Sequence, residues 1–189
     1  MDFWDVIKAR KSVRNFSARP VEKEKILEIL EAARWAPSWQ NRQCWRFIVV
    51  TDQEKIRRIG RLNPFNYNIN FFLRKVPVII VAGANPKDSG YRKGINYYLV
   101  DTAIAMEHLV LAATNLGLAT CWIGAFDEEM IKNELLIPSD IRIVALTPLG
   151  YPAEKPSIVD RVSKIIAGKG RKDLAEIAYL NSWGQPIDL

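Results

Sequence analysis

Apolar positions recur with a helical period along "PVEKEKILEILEAARWAPS", where Ile26, Leu27, Leu30 and Ala33 fall on one stripe. The Ala36-Pro37 step stops the run, because proline lacks an N–H and restricts the residue before it. The pattern predicts a helix from about residue 22 to residue 35, preceded by a shorter one over residues 2–9. "CWRFIVVT" then reads as a strand of aromatic and β-branched residues, and the Thr51-x-x-Glu54 spacing is a capping box that opens the next helix. "VPVIIVAGA" is apolar without alternation, the mark of a central strand covered on both faces. The longest element runs from about Gly94 to Leu116, with Gly117 placed to end it. Ile95, Leu99, Met106, Leu109, Val110 and Ala113 make that helix apolar around more than one face, so it is expected at the centre of the molecule. "ATCWIGAF" and "IRIVALTPLG" read as two further strands around a helix over residues 128–135.

The last stretch differs in kind. Residues 151–189 begin rich in Pro and Lys, then carry "KDLAEIAYL", read as a short amphipathic helix, and an apolar "NSWGQPI". This extension has no core of its own to join. It is expected to belong to the same domain as residues 1–150 and to wrap a second copy of the chain.

Composition adds limits. With 189 residues, 49% hydrophobic and 25% charged, the chain can close one globular core. Asp2, Asp5 and Lys8 interrupt the early apolar residues, and no apolar run nears the eighteen or so that a membrane span needs, so a cytoplasmic protein with no membrane partner is expected. His108 is the one histidine, which excludes zinc-finger ligand sets and any triad that needs two. It sits inside the long helix and reads as a satisfied core or interface residue. Cys44 and Cys121 read as small buried hydrophobes. The net charge of +6 suits an anionic ligand or nucleic acid. Lys and Arg fall in separate knots at residues 10–14, 57–61, 74–75 and 169–172 rather than in one stripe, which favours the small anion over nucleic acid.

The first knot, in "IKARKSVRNF", sets Arg10, Lys11 and Arg14 around Ser12 with no acid among them. Taken alone it is a solvated basic face. Taken with "WAPSWQNRQCWRF", "NYNIN", "GLATCWIGAFD", "LGYPAEKP" and "KGRKDLAEI", in that order, it makes the chain resemble the FMN-dependent nitroreductase family over nearly its whole length. The resemblance implies an α+β fold with a mostly antiparallel sheet between helices. It also implies a homodimer built about the long helix, with exchanged C-terminal tails and two interfacial active sites. FMN would be bound, NADH or NADPH would be the co-substrate, and the partner would be a small oxidised acceptor such as a nitroaromatic, a quinone or an activated alkene. Two alternatives stay beside this one: the same fold with other flavin chemistry, such as dehalogenation, flavin cleavage or heterocycle oxidation, and a non-enzymatic protein that binds flavin or nucleic acid.

Residue by residue, the resemblance gives Arg10, Lys11 and Ser12 to the ribityl phosphate, completed by Lys169 and Arg171 from near the C-terminus. Guanidinium forks suit a phosphate because they pair with it bidentately. Arg14 matches a cation at the pyrimidine edge of the ring, where it would favour the negative charge that collects on reduction. Asn70 matches an asparagine that hydrogen-bonds the ring; it is equally a turn former. Pro37, Ser38 and Trp39 would border the ring or ribityl chain from the other subunit, with Asn41 and Gln43 as polar contacts. The same segment also reads as a helix-to-strand loop that carries Trp45 into the core. Cys44 stands where the family usually has proline, and Trp39 where smaller residues are frequent. Gly124, with Trp122 and Ile123 against the ring face, would offer its main-chain N–H to flavin N5, a close approach suited to a residue without Cβ. Its plainer reading is a glycine that ends a strand. No side-chain general acid is expected, so catalysis would rest on Arg14 and Gly124, with donor and acceptor binding in turn. The short "KDSGYRKGINYY" suggests an open substrate wall lined by Tyr97 or Tyr98.

Overall fold

A computed structural model describes residues 1–61, 70–155 and 170–187. In chain order its elements are α1 (Phe3–Ala9), α2 (Lys23–Arg34), β1 (Trp45–Val50), α3 (Gln53–Ile59), β2 (Val78–Ala84), β3 (Tyr91–Arg92), β4 (Ile95–Asn96), α4 (Tyr97–Asn115), β5 (Ala119–Thr120), α5 (Glu128–Leu135) and β6 (Arg142–Gly150). The main sheet has the order β1-β2-β6-β5 with every ladder antiparallel. This is the α+β arrangement the sequence implied.

The sheet is central because β2 demands it: all seven of its residues are buried. Val78, Ile80 and Ala82 point to one face, where Ile29 and Ala33 of α2 and Ala105, Met106, Leu109, Val110 and Ala113 of α4 cover them. Ile79 and Val81 point to the other, against Ile56 and Ile59 of α3 and Ile131 of α5. Alternation along a strand supplies both faces, and the result is three layers, helices on sheet on helices. Burying an Ile or Leu side chain contributes roughly 1.5–3 kcal/mol, so the fully covered β2 is where a truncation to Ala would cost most. His108 joins two of the helices, its Nδ1–H donating to Ala32 O at 3.2 Å.

Four expectations change in detail. The α3 cap is Asp52, whose Oδ1 accepts from Glu54 N–H at 2.8 Å and Lys55 N–H at 3.0 Å, not Thr51; the carboxylate one residue later reaches the first-turn amides directly. The long helix starts at Tyr97, because Lys93 and Gly94, at φ of 50° and 84°, form a tight turn that pairs β3 with β4. Ile95 therefore lies in a hairpin, and it and Leu99 are 50% and 44% exposed rather than central. In "ATCWIGAF" only Ala119 and Thr120 are strand, with one further bridge from Ile123 to Leu146. Gly117 does end α4, at φ 73°.

The segment after α1 extends the sheet at its β5 edge. Ser12 bridges Thr120 in parallel, with Val13 N–H donating to Thr120 O at 2.9 Å, and Phe16 bridges Pro152. Residues 151–153 are tied to the same segment through Ser17 N–H to Tyr151 O and Ala153 N–H to Asn15 O. The Tyr151 hydroxyl donates to Glu22 at 2.7 Å and accepts from Lys25 Nζ at 2.7 Å. That hydroxyl, followed by backbone and Arg19 hydrogen bonds, lowers the Glu22 carboxyl to about 2.

Residues 1–157 form one compact unit and residues 158–189 a second. Within the second, "KDLAEIAYL" is not a full helix. Asp173 and Glu176 make a capping box around a single turn, Leu174–Glu176, and the chain then folds back so that Tyr179 bridges Pro186 and its ring meets that of Trp183 at 5.0 Å. A helix this short does not sustain itself without a face to pack on.

Candidate functional site

The residues singled out in the first unit fall at two places, on opposite edges of the sheet. At the β5 edge the basic segment lies along the strand that leads into the Trp122–Gly124 turn. Asp2 caps α1 by accepting from Asp5 N–H at 2.9 Å, and Arg10 N–H closes the helix on Val6 O at 3.0 Å, so the knot begins where α1 ends. Arg10 and Arg14 are partly buried; Lys11 and Ser12 are exposed. Past Thr120, the Ile123 side chain is 5% exposed and packs into the core, while Trp122 is 43% exposed. Of the pair expected against a ring face, Trp122 alone presents its side chain outward. Gly124 is exposed, and a Cβ built on it would meet nothing within 4 Å. Asn70, 6% exposed, donates from Nδ2 to Ala125 O at 2.6 Å and so holds the far side of this turn. Arg171 lies exposed in the second unit, and Lys169 lies outside the described residues.

The second gathering precedes β1, at the other edge. Pro37 is exposed, Ser38 and Trp39 are partly buried, and Asn41 and Gln43 are exposed and bonded to each other, Gln43 Nε2 donating to Asn41 Oδ1 at 3.1 Å. Trp45 does enter the core, at 7% exposure. Three residues of this loop have left-handed backbone: Gln40, Asn41 and Gln43, at φ of 49°, 55° and 50°. The loop is pinned by groups that the motif reading passed over. Asp101 of α4 accepts Trp39 N–H at 2.9 Å, and the Trp39 ring stacks on Tyr97 at 4.2 Å between centroids. Gly90 lies against the indole so closely that an added Cβ would fall 2.5 Å from Cε2. The signal for Asp101 was in the sequence, since it is the only charged residue between Tyr97 and Met106 of an apolar helix. Burial, and after it the Asp101 carboxylate, push the neighbouring Cys44 thiol up to about 11. Tyr98 is buried, so of the two candidate lining tyrosines it is Tyr97 that meets the loop.

β1 and β5 are three interstrand steps apart, roughly 14 Å at the usual strand spacing. Among the described residues no group of three or more His, Cys, Asp or Glu is placed to hold a metal ion, and no helix is long and apolar enough to cross a membrane.

This architecture is shared. The profile of the nitroreductase family matches residues 7–64 and 64–151. A solved nitroreductase family protein from Clostridium novyi NT superposes with a TM-score of 0.78 at 41% identity, covering 98% of this chain and 97% of that one. A relative from Methanothermobacter thermautotrophicus, whose name pairs NADH dehydrogenase with NAD(P)H nitroreductase, is 34% identical over 85% of this chain and 82% of its own length. A solved FMN-dependent nitroreductase from Clostridium difficile R20291 superposes at TM-score 0.77 and 28% identity, covering 96% of this chain and all of that one. An iodotyrosine deiodinase from Thermotoga neapolitana is 27% identical over 79% of this chain and 88% of its own length. The chain belongs to the nitroreductase family, and relatives named as oxidoreductases mark it as an oxidoreductase.

Proposed function

We propose that the protein is an FMN-dependent oxidoreductase that works as a homodimer, takes reducing equivalents from NADH or NADPH and delivers them to a small oxidised acceptor, a nitroaromatic or a quinone. The observation that carries this reading is the β5 edge, where a segment bearing Arg10, Lys11 and Arg14 runs beside the strand that ends in an open-faced turn at Gly124. The donor set fits the cofactor. A phosphate is suited by the Arg10, Lys11 and Ser12 groups, and a flat ring by the empty space beside Gly124 and the outward indole of Trp122; Lys169 and Arg171 are assigned to the phosphate by the family resemblance alone. FMN, when bound, supplies the hydride chemistry.

The chain's own residues orient and polarise. Gly124 N–H has no hydrogen-bond acceptor among the described residues and is open to a group placed beside it. Arg14 is suited to favour negative charge at the ring's far edge. His108 is occupied with Ala32 O and takes no part in proton transfer. The Pro37–Gln43 loop hangs from the opposite edge of the same sheet, so a second copy would bring one copy's loop to the other's β5 edge. The exposed Leu99 and Val100 of α4, 44% and 42% accessible, suit burial in such a pairing, and the extension from residue 158 would embrace the partner.

The visible spectrum of the purified protein is the direct test. A yellow protein that releases FMN rather than FAD on denaturation is expected; a colourless protein that does not take up added FMN would sink the proposal. Because donor and acceptor would use one place in turn, parallel double-reciprocal lines are expected, and intersecting lines would overturn the alternating mechanism. Reductive dehalogenation is the second reading, favoured by the deiodinase relative. A halogenated tyrosine assayed beside a nitroaromatic and a quinone separates the two.

A further inference from the structure

The Asp101 carboxylate is 2% exposed and accepts three neutral donors: Trp39 N–H at 2.9 Å, Ser89 Oγ–H at 2.7 Å and the Cys44 thiol at 3.6 Å. Among the described residues no cation pairs with it. Burying a carboxylate on neutral hydrogen bonds alone is unfavourable unless the bonds are good and the arrangement is needed.

What the carboxylate holds is a loop that would not keep its shape unaided. Left-handed backbone at a residue with a Cβ costs about 1–2 kcal/mol, least for Asn, and this loop has it at Gln40, Asn41 and Gln43 within four positions. Several restraints act at the start of the loop, beside the exposed Gln43–Asn41 bond and the Arg46 Nη1 bond to Gln43 O at 3.2 Å at its end. Ser38 Oγ accepts Gln43 N–H at 2.9 Å and Ser38 O accepts Asn41 N–H at 3.0 Å, while the Trp39 indole is fixed between Tyr97 and the bare Cα of Gly90. The one backbone group of Trp39 anchored to a helix is its N–H, and the anchor is Asp101. A rigid helix thus sets, through a single hydrogen bond, where the left-handed run begins.

Resting on the flavin reading above, we propose that Asp101 is a positioning residue of the flavin site. It fixes Trp39 N–H, and through it the run to Gln43, in the one shape that presents Pro37–Gln43 to the ring and ribityl chain. The carboxylate is needed because a single side chain must accept from a backbone amide, a hydroxyl and a thiol at once, which neither an amide nor a hydroxyl group can do.

The experiment uses the full-length, flavin-loaded protein. Dissociation constants for FMN and riboflavin are read from the recovery of free-flavin fluorescence on dilution, with the visible circular dichroism of the bound ring as a second signal. Asp101→Ala is expected to loosen FMN and riboflavin by the same factor, tenfold or more, and to flatten the ring's dichroism. Asp101→Asn, which keeps an acceptor for Trp39 N–H but loses the oxygen that Ser89 and Cys44 share, should recover only part of the loss. Arg10→Ala should loosen FMN and leave riboflavin unchanged, since riboflavin has no phosphate. An Asp101→Ala protein that folds and holds both flavins within twofold of wild type would overturn the proposal. So would a loss confined to thermal stability. If Asp101→Ala does not fold, Ser89→Ala carries the test: it removes one donor and must alter the ring's dichroism, and an unchanged signal overturns the proposal. Amide exchange at residues 37–43, measured without flavin, keeps the two readings apart. Wild-type protein that binds neither flavin defeats the flavin reading and this proposal with it, even if exchange there quickens in Asp101→Asn. Normal flavin binding with unchanged exchange defeats the positioning role alone.

Discussion

The β5 edge and the Trp39 loop are built by opposite means. At the β5 edge the backbone does most of the positioning: a parallel bridge at Ser12 and a second bridge at Phe16 hold the basic segment, and one side chain, Asn70, holds the turn through Ala125 O. At the Trp39 loop the backbone is left-handed at three residues, and a buried side chain from α4 fixes it. The first region rests mainly on bridges between main chains. The second has its shape written into Asp101, Ser38, Gly90 and Tyr97, and loses it if they change.

The largest effect should come from filling the space at the β5 edge. A Cβ added at Gly124 meets nothing within 4 Å, and Gly124 does not have left-handed backbone, so Gly124→Leu should keep thermal stability within about 2 °C of wild type. FMN uptake should fall a hundredfold or more, because the side chain would stand where the ring is proposed to lie. Retained FMN, followed by absorbance, would remove the ring from this turn. Next in size is the charge proposed for the phosphate. Arg10→Ala and Arg171→Ala should each weaken FMN by roughly 10- to 150-fold, the loss of a charge-assisted partner worth about 1.5–3 kcal/mol. Arg57→Ala, an exposed residue 3.8 Å from Glu54, should leave FMN affinity unchanged in the same titration, and equal losses in all three would point to general electrostatics.

The Trp39 loop should respond the other way round. Gly90→Ala places a methyl 2.5 Å from the Trp39 ring, so the indole must move. Overpacking of this kind costs about 1–3 kcal/mol, near 2–4 °C of melting temperature for each kcal/mol in a chain of this size. Calorimetry should show that drop, and a melting temperature equal to wild type would mean the loop is not clamped there.

The smallest effect concerns acid. Glu22 has its carboxyl held at about 2 in the folded chain, against 4.5 for the unperturbed group. The folded state therefore binds fewer protons between those values, and the stabilisation is full above about pH 4.5 and lost as pH falls towards 2. Glu22→Gln should lie below wild type in melting temperature by a constant margin above pH 5, and the margin should close between pH 4.5 and 2. A margin that does not change with pH would detach Glu22 from the Tyr151 hydroxyl.

Much of the fold was legible because its signals are local. The apolar run of β2, the helical stripe of α2 and the Gly117 stop each follow from a few neighbouring residues. The misread places depend on something distant or on a competing turn. Lys93-Gly94 took the start of the long helix for a hairpin, and Asp52 displaced Thr51 as cap because its carboxylate reaches two amides. Motif order singled out Ser12, Gly124 and Trp39 as candidates, but not Asp101, which lies 62 residues from the amide it holds. Ile123 shows the same limit: a motif gives its place in the chain, while the bridge to Leu146 turns its side chain into the core.

The two cysteines fall one to each region, Cys44 beside the Trp39 loop and Cys121 beside the Trp122 turn, at 0% and 1% exposure. A thiolate is the species that alkylating reagents attack, and a thiol raised to about 11 and sealed from solvent offers almost none at neutral pH. Labelling of Cys44 must therefore wait for the loop to open. Its rate, compared with that of Cys121, turns the native chain into two clocks that time the breathing of each edge without any added probe.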